Sequence, residues 1–354
     1  MSKNKIYLKA YFRKNLGDDM FVRCIAERYP ATSFKICTSS VYAQPFENLP
    51  NISNLSWICR FIDRVCNRMV GAEICKKQLE KSADATVHIG GSIFIEPDNF
   101  VPPQAYLSNS NLFMIGCNFG PYKTEAYRDF IFSRLQKAND VCFRDKYSYD
   151  VFSSIPHARV APDVLFGYPH YPVPQSGCGV GISVISPDVR PELKHIADTY
   201  YSVVAQTIDL YAQSAVPVTL FSFCADEGDT QAIHEIKTRC VTDKFEICKY
   251  DGDIDVFLRN INACEYIIAS RFHAMIIGWC LGKKVFPIVY SDKQLHVMED
   301  VQYSGACWDL RKADAYTANK LIDSVYASQS FPVDEFTSES QRQFKMTDKF
   351  LGSL

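Results

Sequence analysis

The chain alternates short apolar runs with longer amphipathic stretches, and turn-forming residues separate them. In the first half, the pattern predicts strands at 5–12, 85–89, 111–116 and 140–143, and helices at 18–28, at 125–138 and from Ser148 onward. In the second half, it predicts strands at 179–185, 216–223, 245–250, 266–269 and 284–289, and helices at 192–213, 229–240, 254–261, 274–280 and 313–328. Short apolar strands that are mostly followed by a helix predict parallel sheets with helices on both faces, hence an α/β fold.

A proline-rich connector interrupts this alternation. Pro169, Pro172 and Pro174 lie between Gly167 and Gly177, a composition typical of semi-extended domain boundaries. We therefore predict two Rossmann-like domains with a central cleft, in which ligands bind beyond the carboxyl ends of the strands. The predicted parts are an N-terminal domain at 1–168, a linker at 169–178, a C-terminal domain at 179–330 and a tail at 331–354 that is a candidate to pack back on the N-terminal domain.

The composition narrows the possible functions. The 354 residues suffice for two domains, and 38 Lys and Arg against 40 Asp and Glu give a net charge of −2. A near-neutral chain is not typical of a dedicated nucleic-acid binder, which needs excess positive charge. No run reaches the ~18 apolar residues of a membrane span, and the first residues lack an apolar signal core. We therefore expect a cytoplasmic protein.

The fourteen cysteines are conspicuous in number but not in spacing. No Cys-x-x-Cys pair occurs, so the usual zinc and thioredoxin patterns are absent. Many of the cysteines have apolar neighbours, as Cys142 and Cys264 do, and such residues behave as small buried hydrophobic side chains. We interpret them as core residues, with a metal-binding or nucleophilic role as the less favoured alternative.

Polar and glycine-rich loops follow the predicted strands. They are Asn15-Leu-Gly-Asp-Asp19, Gly90-Gly-Ser92, 116–121, Arg144-Asp145, 161–163 and Ser270-Arg-Phe-His273. Glycine lets a ligand approach the backbone, and a following helix N-terminus offers free N–H groups to an anion. None of the loops is a G-x-G-x-x-G or Walker sequence, so a nicotinamide or P-loop nucleotide site is not indicated. Tight turns, and for Asp18 and Asp19 a helix cap and a first-turn carboxylate, are the alternatives.

The loop Ser270-Arg-Phe-His273 has the most specific chemistry. A cationic Arg271 or His273 at the start of a helix opposes the helix dipole, so local stability is a poor reason for either residue. Together with the helix amides they predict an anion site, and a histidine, which titrates near neutral pH, suits a general acid. A buried histidine with an ordinary partner is the alternative. Arg144 is the second predicted cation, with Asp145 as its alternative ion-pair partner.

Together these loops resemble the polysaccharide pyruvyltransferase family. The matching segments, in family order, are 15–19, 90–92, 116–121, 144–148, 163–166 and 270–273. Each motif is short, and the ordered set is fairly specific. Two positions depart from the family pattern: Ser92 stands where many relatives have a third glycine, and Arg190 is the first arginine after a strand where relatives often have an earlier one.

The resemblance implies a fold similar to the B-type glycosyltransferases. It further implies transfer of pyruvate from phosphoenolpyruvate to a sugar as a cyclic ketal, during surface or capsular polysaccharide biosynthesis. The acceptor would be a lipid-linked oligosaccharide that the enzyme meets at the inner face of the membrane, with peripheral membrane contact. Neither a metal nor a cofactor other than the donor substrate is expected.

The resemblance and the loop chemistry assign three groups of residues. The catalytic residues are His273, Arg271 and Arg144; the phosphoenolpyruvate-binding residues are these three with Ser270, Gly90 and Gly91; and the acceptor-binding residues are Asn15, Gly17, Asp18, Asp19 and Asn118. On this hypothesis Arg271→Ala abolishes turnover and leaves thermal stability nearly unchanged. The alternatives are a nucleotide-sugar glycosyltransferase of the same architecture and a non-catalytic saccharide-binding protein.

Overall fold

A seven-stranded sheet forms the framework of the first half of the chain in the computed structural model, which describes residues 4–71, 73–102, 111–312 and 316–352. Its strands are β1 (Lys5–Lys9), β2 (Ser33–Ile36), β3 (Ile52–Asn54), β4 (Ala85–Ile89), β5 (Leu112–Cys117), β6 (Asp140–Phe143) and β7 (Ala158–Val160). The order across the sheet is β3-β2-β1-β4-β5-β6-β7, and all neighbouring strands are parallel. All carboxyl ends therefore lie at one edge, and the strand order reverses between β1 and β4.

A six-stranded parallel sheet forms the framework of the second half. Its strands are β8 (Val180–Ser183), β9 (Val218–Ser222), β10 (Glu246–Lys249), β11 (Tyr266–Ala269), β12 (Lys284–Val289) and β13 (Trp308–Asp309). Their order is β10-β9-β8-β11-β12-β13, so this order also reverses beside its first strand, between β8 and β11. Such a reversal opens a crevice at the carboxyl edge of a parallel sheet, which is the usual place for a ligand.

Fourteen α-helices connect or follow the described strands. They are α1 (Leu16–Arg28), α2 (Ser40–Ala43), α3 (Trp57–Val70), α4 (Ile74–Ser82), α5 (Glu125–Leu135), α6 (Lys146–Val151), α7 (Ala197–Gln213), α8 (Asp229–Arg239), α9 (Ile254–Asn262), α10 (Phe272–Cys280), α11 (Asp292–Asp300), α12 (Ala318–Ala327), α13 (Asp334–Ser340) and α14 (Lys345–Leu351). Side-chain caps start several of them: Thr124 Oγ1 accepts the N–H of Tyr127 at 3.1 Å, and Asp253 Oδ1 accepts that of Val256 at 2.9 Å. Each cap satisfies a backbone donor that the first helical turn leaves unpaired.

The predicted α/β class with parallel sheets is confirmed. Every residue of β5 and β6 is buried, as expected of central strands that are covered on both faces. The predicted strand at 5–12 ends earlier, at Lys9, and the predicted helix at 192–213 begins later because Pro191 starts a 3₁₀ helix before α7. Residues 313–315 of the last predicted helix lie outside the described residues.

The chain divides into two compact units. Unit 1 comprises Met1–Phe12, Asp18–Gly167 and Ser338–Leu354, and unit 2 comprises Arg13–Gly17 and Tyr168–Thr337. The border after Gly167 adjoins the one expected at residue 168, whereas the proline-rich segment at 169–178 is part of unit 2. The short segment Arg13–Gly17 belongs to unit 2 although it lies within the predicted N-terminal domain.

The end of the chain packs within unit 1. The buried side chain of Gln343 accepts the N–H of Gly116 at 2.9 Å and donates to the carbonyl of Ala161 at 2.7 Å. Arg28 forms a bidentate ion pair with Asp348, at 2.7 and 2.8 Å. These contacts tie the 3₁₀ segment Gln341–Phe344 to β5 and to the residue after the edge strand β7, and they tie α14 to α1.

The cysteines do not contribute disulfides: all fourteen are free thiols. Cys117 and Cys142 are buried in β5 and β6, and burial raises the pKa of the Cys142 thiol to about 12. A thiol of this kind is not ionised near neutral pH and is a poor nucleophile. Within the described parts of the chain, none of the helices combines the length and the apolar character that crossing a membrane requires.

Candidate functional site

Two of the predicted arginines, Arg144 and Arg271, each lie in a cluster of polar and charged residues, one in each unit. The Arg144 cluster of unit 1 consists of Gly91, Asn118, Arg144 and Asp163. The Arg271 cluster of unit 2 consists of Arg190, Glu227, Asp229, Arg271, Tyr290 and Lys293. Each cluster is built from loops at the carboxyl edge of the parallel sheet of its own unit.

Arg144 follows β6 directly and is only 3% exposed. Its Nη1 donates to Asp163 Oδ2 at 3.1 Å, and its Nη2 donates to Asn118 Oδ1 at 2.7 Å. The other oxygen of Asp163 accepts the N–H of Leu165 at 2.9 Å. Burial raises the pKa of the Asp163 carboxyl above its ordinary value, although the Arg144 charge opposes this. The arrangement is a buried ion pair whose groups are bonded to one another.

Two glycines allow the backbone to approach Arg144. A Cβ atom on Gly91 would overlap the Arg144 guanidinium, and the Gly91 carbonyl accepts the N–H of Asn118 at 2.8 Å. Gly90 has a φ of +151°, which side chains rarely adopt, and a Cβ there would lie 3.9 Å from a carboxylate oxygen of Asp18. The glycine pair therefore serves close packing with Arg144 and brings Asp18 to the same edge of the sheet.

Asp145, the alternative partner considered for Arg144, caps α6. Its Oδ1 accepts the N–H of Ser148 at 2.8 Å, and the Ser148 hydroxyl in turn accepts the N–H of Phe119 at 2.8 Å. The carboxylate that forms the ion pair with Arg144 is that of Asp163, nineteen residues away in sequence. The Arg-Asp and Asp-x-x-Phe motifs are thus joined by this ion pair.

Arg271 occupies the N-cap position of α10 and is 5% exposed. Its guanidinium contacts both oxygens of Asp229, with Nε 3.2 Å from Oδ2, and also donates to Glu227. Its backbone N–H donates to the Ser183 hydroxyl at 3.1 Å. Burial would lower the pKa of the Arg271 guanidinium, but Asp229 and Glu227 raise it well above its ordinary value. Arg271 is therefore a fixed positive charge.

Two more cations surround this ion pair. Arg190 Nη2 lies 3.8 Å from Glu227 Oε2, and its guanidinium is 5.0 Å from the ring centre of Tyr290. Lys293 Nζ lies 5.5 Å from the same ring centre. The three cations Arg190, Arg271 and Lys293 thus outnumber the two carboxylates. Since α10 also starts here, its dipole adds partial positive charge.

The excess of positive charge lowers the pKa of the Tyr290 hydroxyl. Burial acts to raise the pKa of its hydroxyl, but the charges of Lys293, Arg190 and Arg271 lower the pKa below the ordinary value of 10.0. For Glu227, burial likewise acts to raise the pKa, and Arg271 is the main charge that lowers it below its ordinary value. A buried tyrosine is acidified only where the local potential is positive. The Arg271 cluster therefore favours an anionic ligand.

The N-terminal motif lies against this cluster through residues 15–17. Asn15 Nδ2 donates to Glu227 Oε1 at 3.1 Å, and the N–H of Leu16 donates to the Phe223 carbonyl at 3.2 Å. Gly17 adjoins His273, since a Cβ atom there would overlap the imidazole. Asn15 and Gly17 were expected in the N-terminal domain with the acceptor. The structure instead places them beside the predicted donor residues, because these backbone and side-chain contacts hold the segment to unit 2.

Other predicted site residues have structural partners. The Ser270 hydroxyl is 3.0 Å from the Tyr200 hydroxyl, and its carbonyl accepts from Gln294 at 3.4 Å. Asn118 is buried as a partner of Arg144. Asp18 and Asp19 both lie in the first turn of α1, which begins at Leu16, so both are first-turn carboxylates and neither is the helix cap that their alternative interpretation included. Asp19 is fully buried, and Asp18 is half-exposed. Their expected contacts with ligands stay predictions.

Several members of the Arg271 cluster were not among the predicted site residues. Arg190 was only noted, and Glu227, Asp229, Tyr290 and Lys293 were not considered. A signal was present, since Tyr290 follows β12 directly and Glu227 follows β9 by five residues. Among the described residues, no group of three or more His, Cys, Asp or Glu side chains is arranged to hold a metal ion.

Comparison with known proteins gives two sequence matches. The sequence model of the family described as "Polysaccharide pyruvyl transferase" matches residues 15–292. Amylovoran biosynthesis protein AmsJ of Erwinia amylovora is 24% identical over 262 residues, which cover 62% of this chain and 60% of that protein. The chain thus spans about 60% of the length of this curated relative.

Solved structures match over nearly the whole chain, at low sequence identity. Anabaena HepE in complex with UDP and glucose superposes with a TM-score of 0.57 at 8% identity, covering 100% of both chains. The Staphylococcus aureus MnaA–UDP structure gives 0.55 at 10% identity, covering 100% of this chain and 98% of that one. The UDP-GlcNAc 2-epimerase of Methanocaldococcus jannaschii gives 0.53 at 9% identity, covering 98% and 100%. At such identities the likeness establishes the fold alone, and it confirms the B-type glycosyltransferase architecture.

Proposed function

Because the chain belongs to the polysaccharide pyruvyl transferase family, we propose that it transfers the pyruvyl group of phosphoenolpyruvate to a sugar as a cyclic ketal. We place the reaction in surface or capsular polysaccharide biosynthesis, since the relative AmsJ is named for the biosynthesis of amylovoran. The acceptor in this proposal is a lipid-linked oligosaccharide, which a cytoplasmic enzyme meets at the inner face of the membrane.

The observation that carries the proposal is the surplus of cations in the Arg271 cluster. Phosphoenolpyruvate has a carboxylate and a phosphate, and Arg190 and Lys293 are the cations that we assign to them. Charge-assisted hydrogen bonds of this kind contribute about 1.5–3 kcal/mol each. Arg271 is already bonded to Asp229 and Glu227, so in this proposal it fixes the loop and adds to the positive potential.

The proposed reaction balances without a redox partner. A proton is added to the methylene carbon of the donor, and a sugar hydroxyl attacks the neighbouring carbon, which has become cation-like. The bond between that carbon and the phosphate oxygen breaks, inorganic phosphate leaves, and a second hydroxyl closes the ketal. The two sugar hydroxyls together lose two protons. One replaces the proton that was added to the methylene carbon, and the other leaves on the released phosphate. We assign no cofactor, because the enol phosphate already contains its leaving group.

His273 is our candidate for the proton donor. It is the second residue of α10, half-buried, and its ring lies beside Gly17 at the edge of the cation cluster. Proton transfer by a positioned side chain typically contributes about 10²–10⁴-fold to the rate. A side chain on Gly17 would displace the ring, which is a physical reason for glycine at this position of the N-terminal motif.

Unit 1 has a different part in the proposal. Arg144 is bonded to Asp163 and Asn118, so we assign it to holding the strand-end loops, including Gly90 and Gly91, in place. Asp18, which is half-exposed at the same edge, is the acceptor-binding candidate in unit 1. Asp19 and Asn118 are buried, so in this proposal they do not contact the acceptor themselves. Asp19 would act through its neighbour Asp18, and Asn118 through Arg144.

The test is transfer of radiolabel from phosphoenolpyruvate to a panel of lipid-linked galactosides and mannosides. We expect labelling of at least one acceptor that withstands alkali and is released by acid, as a ketal requires, with release of an equal amount of phosphate, and loss of both in His273→Ala. Lys244→Gln, which removes an exposed cation of unit 2 outside the cluster, is the matched control and keeps full activity. No labelling of any acceptor by folded protein, together with thermal protection by UDP or GDP and none by phosphoenolpyruvate, would instead favour a nucleotide-sugar glycosyltransferase.

A further inference from the structure

Helix α3 of unit 1 exposes its apolar side chains and buries a charged one. Trp57, Phe61 and Met69 are 69%, 57% and 77% exposed. Among the described side chains of the helix, the single buried one is Asp63, whose carboxylate accepts the N–H groups of Cys75 and Lys76 at 2.7 and 2.9 Å and so caps α4. This arrangement is the reverse of an ordinary surface helix, which turns its apolar face to the core.

The exposed apolar residues form one continuous stripe. They are Trp57, Ile58, Phe61, Ile62, Val65 and Met69. Positions one, three or four residues apart lie next to each other on a helix, so these side chains cover one face along the whole of α3. Ile74, at the start of α4, is also exposed and extends the apolar surface. Isolated exposed hydrophobic residues are common, but a contiguous stripe of this length marks an interaction surface.

Basic residues accompany the stripe. Arg60, Arg64 and Arg68 recur every four residues along one side of α3, and Arg64 and Arg68 are exposed. Residues 57–82 contain six Lys and Arg against three Asp and Glu, within a chain whose net charge is −2. All three acidic residues are engaged: Asp63 caps α4, Glu73 pairs with Lys76 at 2.8 Å, and Glu80 pairs with Lys9 at 2.9 Å. The surface around the stripe is therefore positively charged.

We propose that the exposed face of α3, from Trp57 to Met69, binds the surface of an anionic lipid membrane. An apolar face with an aromatic residue, flanked by arginines on a helix that is too polar to span a bilayer, fits the boundary between headgroups and acyl chains. The arginines supply attraction to acidic headgroups. This inference deepens the proposed function, since it rests on the lipid-linked acceptor and identifies how the enzyme would reach it.

The position of α3 suits this role. The helix starts three residues after the end of β3, at the carboxyl edge of the first sheet. Asp18 and the glycine pair Gly90-Gly91 lie at the same edge of the same unit, because all strands of that sheet are parallel. An enzyme that is held to the membrane by α3 would present this edge of unit 1 close to the bilayer surface.

Trp57 is a built-in reporter for the test. The chain has three tryptophans, and the other two, Trp279 and Trp308, are buried. Vesicles of phosphatidylglycerol and phosphatidylethanolamine are added to the protein, and its emission spectrum is recorded. We expect a blue shift and protection of Trp57 from acrylamide with these vesicles, and neither change with phosphatidylcholine vesicles. An unchanged spectrum with the anionic vesicles would overturn the proposal.

Variants of the stripe locate the contact. Phe61→Ser and Met69→Ser remove exposed side chains, so we expect folding to be unaffected and the amount of protein that sediments with anionic vesicles to fall at least tenfold. Arg64→Glu with Arg68→Glu should abolish the preference for anionic lipid. Val241→Ser is the matched control, because Val241 is a highly exposed apolar residue of unit 2. Vesicle binding that is equal in Phe61→Ser and wild type would contradict the proposal.

A second copy of the chain could also cover the apolar stripe of α3, and the experiments must distinguish this dimer from membrane binding. Sedimentation equilibrium of wild type and Phe61→Ser, without lipid, separates the two: a dimer that Phe61→Ser dissociates would overturn membrane binding as the purpose of the stripe. Failure here is also separable from failure of the proposed function. Transfer to a short, detergent-free acceptor analogue should be the same in Phe61→Ser and wild type, whichever way the vesicle experiment turns out.

Discussion

The two arginine clusters differ in what surrounds a similar core. Arg144 in unit 1 and Arg271 in unit 2 both directly follow or closely follow a strand inside their sheet, β6 and β11. Both are almost completely buried, and both are paired with carboxylates. Arg144 also donates to the neutral amide of Asn118. Around Arg271 stand two further cations, Arg190 and Lys293, which acidify Tyr290.

This difference indicates that a motif arginine need not be the group that binds the ligand. A buried guanidinium with two hydrogen-bonded carboxylates has little capacity left for a substrate, but it holds its loop and maintains the local potential. In the proposed function, the half-buried Arg190 and Lys293 are the groups assigned to bond the incoming anion. In our proposal the Arg144 cluster likewise serves to hold the strand-end loops of unit 1.

The largest expected effect is that of removing Arg271. In Arg271→Ala the buried Asp229 loses its counter-charge, so we expect the free energy of unfolding to fall by about 3–5 kcal/mol, measured by urea denaturation, together with loss of transfer. This corrects the expectation of unchanged thermal stability, which took Arg271 to be free for the ligand. Arg239→Ala, which removes a half-exposed ion pair with Glu235 in the same unit, should cost less than about 1 kcal/mol. Equal losses of unfolding free energy in Arg271→Ala and Arg239→Ala would contradict the structural importance that we assign to the buried Arg271 ion pair.

Acid should weaken unit 1 through His88. Burial and the charges of Arg134 and Lys9 lower the pKa of the His88 imidazole to about 3, from an ordinary value of 6.5. The unfolded chain therefore binds a proton between these values that the folded chain does not, so stability is full above pH 6.5 and falls as the pH drops towards 3. We expect about 2 kcal/mol less stability at pH 5 than at pH 8. Hydrogen exchange of β1 and β4 measures it, and His88→Leu should flatten the slope.

A methyl group on Gly91 should disturb the Arg144 cluster alone. Its Cβ would overlap the Arg144 guanidinium, so Gly91→Ala should cost about 1–2 kcal/mol of unfolding free energy. The cost should shrink when Arg144 is also replaced by alanine, since the overlap is then gone. An additive double variant would show that the glycine is needed for another reason. The affinity for phosphoenolpyruvate, which our proposal assigns to unit 2, should change less than threefold.

Removing Arg190 or Lys293 should have the smallest effect on stability but a clear effect on the KM for phosphoenolpyruvate. Arg190→Gln and Lys293→Gln each remove a half-buried cation, so we expect less than about 1 kcal/mol change in unfolding free energy. Each should raise the KM for phosphoenolpyruvate about tenfold, the loss of one charge-assisted hydrogen bond. Steady-state kinetics of phosphate release measures this, with Lys244→Gln as the control. An unchanged KM in both variants would remove Arg190 and Lys293 from the proposed donor site.

The sequence was a good guide to the central strands and to the order of elements. β4, β6, β11 and β12 have the predicted bounds, because each is a short apolar run closed by glycine or polar residues. Edge elements were missed: β3 has three residues, and its neighbour β2 alternates buried and half-buried positions. The exposed apolar face of α3 could not be predicted either, since a stripe of this kind usually packs inward.

For the site, the sequence indicated the loops but not their pairing. The motifs around Arg144, Asp163, Arg271 and His273 were identified. The ion pairs to Asp163 and Asp229 were not, because they join positions 19 and 42 residues apart and depend on the sheet order. In the sequence, Arg190 precedes the motif that contains Arg271, and Lys293 follows it. In the structure, both cations lie next to the ring of Tyr290. Only the fold brings these charges together.

Calorimetric titration of phosphoenolpyruvate into the wild type and into the Arg190→Gln, Lys293→Gln double variant tests the central claim most directly. We predict saturable binding to the wild type, competition by inorganic phosphate, and at least a 100-fold weaker affinity in the double variant, whose unfolding transition stays close to that of the wild type. Equal affinity of both proteins for phosphoenolpyruvate, or binding of UDP without any binding of phosphoenolpyruvate, would contradict the assignment of the Arg271 cluster as the donor site.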